Sequence, residues 1–405
     1  MITIRPFAAI RPKNELAKEV SIPPYDVLSD EASRKLGENP KSLIHITRSE
    51  VYFPAGEDPY TGKVYEKAKT VLEEFLAEGI LFQDEEALYI YTEVYHNMSQ
   101  RGIVGIIDTV DSKEGRIKIH ELTLKEKQKD RTNHFYHLRC QDEPVLLFHK
   151  KEEELENWMK EYVQEKDPEF DFTDEAGVRH ILHKINGKED IEKVQNYYKE
   201  FDAVYIGDGH HRTASSLDVC ERLQVEEGID PGLLAVIFPE EELNILGYHR
   251  VIKDLNNLTR EEFLEALKES FLIEKIDKAY EPKEKGVFVL LFKDEVYKMT
   301  LKEEPQGEKV ADLLDASILQ EKVLAPILDI IDIRTDQRIE FYGGYNAIDE
   351  IEEKIDQGFT LGILLHPVTP KDIIAVADRK EVMPPKSTWF EPKLRSGLFL
   401  YPYDI

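Results

Sequence analysis

The 405-residue chain sets 53 Lys+Arg against 81 Asp+Glu, a net charge of −28 at pH 7, with 41% hydrophobic and 10% aromatic residues. At pI ≈ 4.9 it is repelled by nucleic-acid phosphates and anionic membranes, which counts against both as partners. Its two cysteines, Cys140 and Cys220, form no CxxC pair, so neither a disulfide framework nor a cysteine zinc site is expected. The start MITIRPFAAIRPK lacks a signal-peptide apolar core, and no apolar run nears the ~18 residues of a membrane span. A cytoplasmic protein is expected, of a size and class that suggest a homodimer.

In chain order, Val20–Asp26 reads as extended because Pro23 and Pro24 exclude helix, and Ser29 opens a short helix. Val64, Ala68, Val71, Leu72, Phe75 and Leu76 keep helical spacing within Tyr60–Ile80. Ala87–Tyr95, Gly102–Val110 and Val145–Phe148 read as strands, and Glu152–Val163 and Glu189–Glu200 as helices. Ala203–Ile206, Leu233–Phe238 and Ile245–Val251 are strand-like, followed by a helix at Thr259–Ser270 and strands at Gly286–Phe292 and Val296–Leu301. A helix around Asp312–Val323, a buried strand at Phe359–Leu365 and a helix at Ile373–Asp378 complete the reading. Without a strict βαβ rhythm, the fold class expected is α+β, a mixed α/β sheet, with a boundary near Asp254–Leu258.

The chemistry concentrates in YIGDGHHRTASSL, Tyr205–Leu217. Gly207 and Gly209 permit a tight turn, and Ala214, Leu217, Cys220 and Leu223 form a stripe that starts a helix near His210. A helix start has unpaired N–H groups and partial positive charge, and Arg212 adds a planar fork, so the segment reads as an anion cradle. It also reads as an Asp-capped helix with exposed histidines. A metal pair is disfavoured, because neighbouring residues diverge on a helix and no HExxH or Cys pattern is present.

DGHHRTAS resembles the DGHHR signature of free-serine kinases in the ParB/sulfiredoxin superfamily, especially a long branch known as a domain of unknown function. RPFAAIRP, PPYDVLS, IKIHELTLKEKQKDR, LNILGYHRVIKDL and MPPKSTWFEPKLRSGL resemble that branch in the same order. The resemblance implies a ParB/sulfiredoxin-like nucleotide-binding catalytic region with insertions over residues 1–255, and a C-terminal α/β region over 256–405. It implies ATP- or ADP-dependent phosphorylation of free L-serine, or a similar hydroxy amino acid, with Mg²⁺. Gly209, His210, His211 and Arg212 match the phosphate-binding turn, and Asp208 the acidic residue that faces Mg²⁺ or the hydroxyl. The compact kinases carry a catalytic Glu near the N-terminus. None aligns here, and Asp26 in PPYDV is the candidate base.

His120 and Glu121 follow the β-like IKI, with Lys125, Lys127 and Arg131 behind them. The segment is either a charged helix or part of the site, in which Arg131 binds phosphate, Glu121 a metal or ammonium group or the hydroxyl proton, and His120 lies near the substrate. In MPPKSTWFEPKLRSG, Lys386, Ser387, Thr388 and Lys393 offer donors to phosphate, or else Trp389 and Phe390 anchor a closing strap. Gly343–Gly344 is a weaker candidate for close approach to a ligand, and His249–Arg250 end a strand. Ser215, Ser216 and Cys220 sit within the helix and suit no nucleophile motif. Two further classes stay open: a nucleotide-hydrolysing regulatory module of the ParB type, and a metal-dependent phosphoesterase using Asp208, His210, His211 and His120.

Overall fold

Helical spacing at Val64, Ala68, Val71, Leu72 and Phe75 does form a helix, α1 (Gly62–Ala77), and all five residues are buried. The computed structural model describes residues 1–403 except 55, 57 and 124, and the side chains of 126 and 127 also lie outside the described residues. The chain divides into two units. The first comprises Met1–Lys118, Thr123–Leu243 and the segment from Pro392; the second comprises Ile119–Leu122 and Asn244–Glu391. Among the described residues no helix is long and apolar enough to cross a membrane.

The first unit is built on a nine-stranded mixed sheet. Its strands are β1 (Ile4–Arg5), β2 (Leu88–Tyr95), β3 (Met98–Ile107), β4 (Ile117–Lys118), β5 (Val145–His149), β6 (Phe170–Thr173), β7 (Arg179–Ile185), β8 (Val204–Asp208) and β9 (Leu233–Pro239). They lie in the order β4-β8-β5-β9-β3-β2-β7-β6, with β1 paired to β3. The runs VLLFH and LLAVIFP are buried along their whole length because β5 and β9 are central and pair in parallel. Helices α2 (Lys125–Leu138), α3 (Glu153–Glu165), α4 (Lys188–Glu200) and α5 (His210–Glu227) belong to the same unit. Leu155, Trp158 and Met159 of α3 and Val194 and Tyr198 of α4 join Ile90, Ile103, Leu147 and Ile206 in one core. Burying Trp158, Met159 and Leu155 contributes about 1.5–3 kcal/mol each by area.

The segment from Pro392 threads back through this unit. Ser396 bridges Ile22, Leu400 bridges Ile10, and Tyr401–Pro402 pairs with Cys140–Gln141. Arg395 donates to Asp174 Oδ2 (2.9 Å) and to Ser21, which lies near the front of the chain.

The second unit is a six-stranded antiparallel sheet. Its strands are β10 (His249–Ile252), β11 (Phe271–Ile276), β12 (Val287–Leu291), β13 (Val296–Leu301), β14 (Ile339–Tyr342) and β15 (Leu361–Leu365). Their order is β11-β13-β12-β15-β10-β14. The mixed α/β class is as expected. The helix expected over Asp312–Val323 is instead three pieces: a 3-10 turn (Ala311–Leu313), a short α-helix (Asp315–Leu319) and a π-turn (Gln320–Leu324). Leu314 between the first two is extended, and Asp315 takes the Gly286 N–H (2.9 Å) rather than continuing a helix.

Candidate active site

At the end of β8 the pairing slips. Tyr205 and Ile206 oppose Phe148 and Leu147, but Asp208 opposes Leu146, so Gly207 is the extra residue of a bulge. A bulge re-aims the side chain that follows it. Ile206 is buried in the core, whereas Asp208 retains 27% side-chain exposure. Asp208 therefore closes the strand and is not the helix cap. That position belongs to Gly209, at φ 93°, ψ 35°. A Cβ on Gly209 would lie 3.0 Å from Cζ and Nε of Arg212. Only glycine gives both the left-handed turn and room for the guanidinium folding back over it.

Helix α5 starts with the Thr213 N–H donating to the Gly209 carbonyl (2.8 Å), and Gly209 has no side chain to cap the helix. The N–H groups of His210, His211 and Arg212 precede that first intrahelical bond and give the turn its anion-attracting end. Arg212 is 2% exposed and donates to the Pro144 carbonyl (2.6 Å) and to Asp208 Oδ2 (2.9 Å). Its Nε, the Thr213 hydroxyl and the Ser216 hydroxyl are buried without a hydrogen-bond partner among the described residues. Lys393 Nζ lies 3.7 Å from Asp208 Oδ1. Burial alone would raise the Asp208 carboxyl, but Lys393, Arg212 and His210 hold it down at about 2. Burial lowers His210 to about 4, so its ring is neutral at pH 7.

Beside this turn stands the 3-10 turn Tyr25–Val27, set by the prolines before it. The Tyr25 N–H donates to Glu143 Oε1 (3.1 Å), and the Arg131 guanidinium lies 4.3 Å above the Tyr25 ring. Asp26 is exposed and makes no hydrogen bond or ion pair among the described residues. Burial opposes the charge on Arg212, but Asp208, Asp26 and Glu143 together raise its pKa. Burial likewise opposes the charge on Arg131, which Asp130, Tyr25, Asp142 and Glu143 restore.

Sequence reasoning missed Asp142 and Glu143. Both are fully buried. Glu143 Oε1 also accepts from the Ser396 hydroxyl, while Oε2 has no hydrogen-bond partner among the described residues. Burial pushes Glu143 up to about 7, against the pull of Arg212 and Arg131. Burial would also raise Asp142, but His134, Arg131 and the Thr47 hydroxyl hold it low. The available signal was an acidic pair directly before a buried apolar run, QDEPVLLF.

The structure thus brings together Asp26, Arg131, Asp208, Gly209, His210, His211, Arg212 and Lys393 in the first unit. It places His120, Glu121 and Lys386 in the second. His120 is buried and its carbonyl accepts the Met383 N–H (2.8 Å). Lys386 has φ 60°, so the segment expected to be extended turns there; its Nζ lies 5.5 Å from the Tyr248 ring and its carbonyl accepts from Arg250 (3.0 Å). The close approach at Gly343 is to Trp389, whose ring an added Cβ would meet at 2.3 Å. The Cys220 thiol donates to the Gly232 carbonyl and burial pushes it up to about 12, so it stays protonated. Among the described residues no three His, Cys, Asp or Glu side chains are grouped to hold a metal ion.

Several solved structures are similar at low identity. A mutant of free serine kinase in complex with AMP is 16% identical, with a TM-score of 0.38 over 73% of this chain and 92% of that one. A conserved hypothetical protein from Pyrococcus furiosus is 18% identical, with a TM-score of 0.37 over 74% and 96%. SbnI with a C-terminal truncation, from Staphylococcus aureus, is 12% identical, with a TM-score of 0.38 over 74% and 87%. No curated protein matches the chain. A family model described as protein of unknown function, DUF1015, matches residues 4–319, and the chain belongs to that family.

Proposed function

We propose that the first unit is a small-molecule kinase of the ParB/sulfiredoxin type. It moves the terminal phosphoryl group of ATP or ADP to the hydroxyl of free L-serine or a similar hydroxy amino acid. The observation that carries this reading is the bulged strand end, left-handed Gly209 and buried Arg212, close to a turn whose Asp26 makes no hydrogen bond among the described residues but acts electrostatically on Arg212. Phosphoryl transfer needs charge neutralisation and alignment more than covalent help. The N–H groups of His210 and His211 and the Arg212 guanidinium supply the first, and neutral His210 adds a hydrogen-bonding ring.

Asp26 takes the hydroxyl proton as the acceptor oxygen bonds to the terminal phosphorus and the bond to the bridging oxygen breaks, leaving the shortened nucleotide. Lys393 and Arg212 keep Asp208 ionised. Mg²⁺ commonly binds through one or two carboxylates plus the nucleotide's own phosphates, so a single Asp208 is compatible with it despite the missing cluster. Bound there, Mg²⁺ would neutralise phosphate charge, with Asp208 as its protein ligand.

The test incubates purified protein with L-serine, Mg²⁺ and ATP, ADP or CTP in turn, and measures O-phosphoserine and the shortened nucleotide. Equal amounts of both, lost with EDTA, are expected. Nucleotide hydrolysis indifferent to serine would instead make the protein a hydrolysing module.

A further inference from the structure

Next to the Tyr25–Asp26 turn lies a cavity of about 190 Å³, below the ~300–1,000 Å³ typical of drug-sized ligands. A whole nucleotide does not fit such a space, but a molecule of a few heavy atoms does. Its wall is charged with both signs: Asp26, Glu50 and Asp130 against Arg48 and Arg131.

Most of these groups are already engaged with the protein. Arg48 donates to Leu28 and Ser33 (2.9 and 2.7 Å), to Asp30 (2.6 Å) and to Glu50 Oε1 (2.7 Å). Asp130 accepts from Tyr65 through Oδ1 (2.9 Å) and from Arg131 Nε through Oδ2 (3.2 Å). His134 pairs with Asp142 (3.1 Å). What remains without a hydrogen bond among the described residues includes Arg131 Nη2, Glu50 Oε2, His134 Nδ1, the Asp26 carboxylate and the hydroxyls of Tyr25 and Tyr60. Arg131 is 6% exposed, and its Nη1 makes only a long bond to the Thr47 carbonyl (3.4 Å). An arginine buried to that extent with a free N–H₂ edge calls for an anion.

We infer that this cavity is the acceptor subsite and takes a small zwitterionic hydroxy amino acid, its carboxylate on Arg131 and its ammonium group on Glu50. The hydroxyl then falls to Asp26, a detail that rests on the phosphoryl-transfer reading; the zwitterion binding does not. Arg131 accordingly reads the acceptor's carboxylate and not the nucleotide's phosphate, the role expected from the sequence. The nucleotide is left to the Gly209 turn, so the two ligands are recognised by separate groups.

Calorimetry on the full chain, with and without a non-hydrolysable ATP analogue, tests this using L-serine, glycerate and ethanolamine. Glycerate lacks the ammonium group and ethanolamine the carboxylate. Serine should bind at least about tenfold more tightly than either, one charge-assisted hydrogen bond being worth that much. Glu50→Gln should weaken serine about tenfold and leave the ATP analogue unchanged. Tyr60→Phe, at a position 63% exposed, should weaken serine severalfold. Serine binding equal to that of ethanolamine or glycerate, or untouched by both variants, would overturn the assignment. If serine binds as described but no phosphoserine forms, the subsite stands and the kinase reading falls. If phosphoserine forms with an unchanged acceptor KM in both variants, the kinase stands and the subsite falls.

Discussion

Asp208→Asn removes the carboxylate that accepts a hydrogen bond from Arg212, a guanidinium only 2% exposed. Lys393, Arg212 and His210 depress the Asp208 carboxyl from 3.8 to about 2, and at about 1.4 kcal/mol per unit they together contribute about 2–3 kcal/mol to the folded state. Breaking a fully buried ion pair costs about 3–5 kcal/mol, and the 27% exposure of Asp208 places this pair at the lower end. The sign follows from the depression. The contribution is complete above the ordinary carboxyl value of 3.8 and is lost as pH falls through about 4 towards 2. Each unit holds one of the chain's two tryptophans, Trp158 in the first and Trp389 in the second. In a Trp389→Phe background, urea unfolding followed by Trp158 fluorescence reports the first unit alone. The Asn variant should lose about 2–3 kcal/mol at pH 7 and a smaller amount at pH 2.5. Serine-dependent release of the shortened nucleotide should fall by about 10²-fold or more. An unchanged midpoint at pH 7, or a wild-type acid slope identical to the variant's, would refute the pairing argument. Intact serine phosphorylation would refute the assignment of the turn.

Glu143, held at about 7 by burial, favours its protonated form in the fold, so it makes wild-type stability fall as pH rises from about 4.5 to 7. The difference in melting temperature between wild type and Glu143→Gln should therefore change across that window and flatten above it. Gly209→Ala forces φ 93° on an L side chain and presses Cβ against the Arg212 guanidinium at 3.0 Å. It should cost at least about 1–2 kcal/mol by urea unfolding, and calorimetry should show weaker nucleotide binding with serine binding retained.

Legibility followed physical range. The strand Val204–Asp208 and the helix from His210 were readable because an apolar run, two glycines and a helical stripe are all local signals. The bulge at Gly207 was not, since it exists only relative to Leu146 and Leu147 on a strand about sixty residues earlier. The hairpin Phe170–Thr173/Arg179–Ile185 went unread because its charges look like a solvated stretch. In the fold Arg179 pairs with Asp171 (2.7 Å), and the buried His180 meets Tyr91 (2.6 Å) and Asp174 (3.2 Å). Phe271–Ile276 was not legible because FLIEKI does not alternate and only Phe271 is buried, the strand being defined by its pairing with Val296–Leu301. Glu143 had only the acidic pair before VLLF as a local sign, and Glu50 only its neighbour Arg48. What sets them apart comes from distant segments: Tyr25, Ser396 and Arg131 around Glu143, and the cavity that Glu50 shares with Arg131.

The return of the chain at Pro392 has a temporal consequence. Lys393, Arg395 and Ser396 reach Asp208, Asp174 and Glu143 only after residues 244–391 have been synthesised. At about 5–20 residues per second, the nascent first unit waits for seconds with Asp208 lacking one of its cations and Glu143 lacking a donor. Any product terminated before residue 393 carries the whole DGHHR turn but an incomplete charge balance around it. The charge balance around the turn is therefore completed by a segment that follows the second unit's residues 244–391 in the chain.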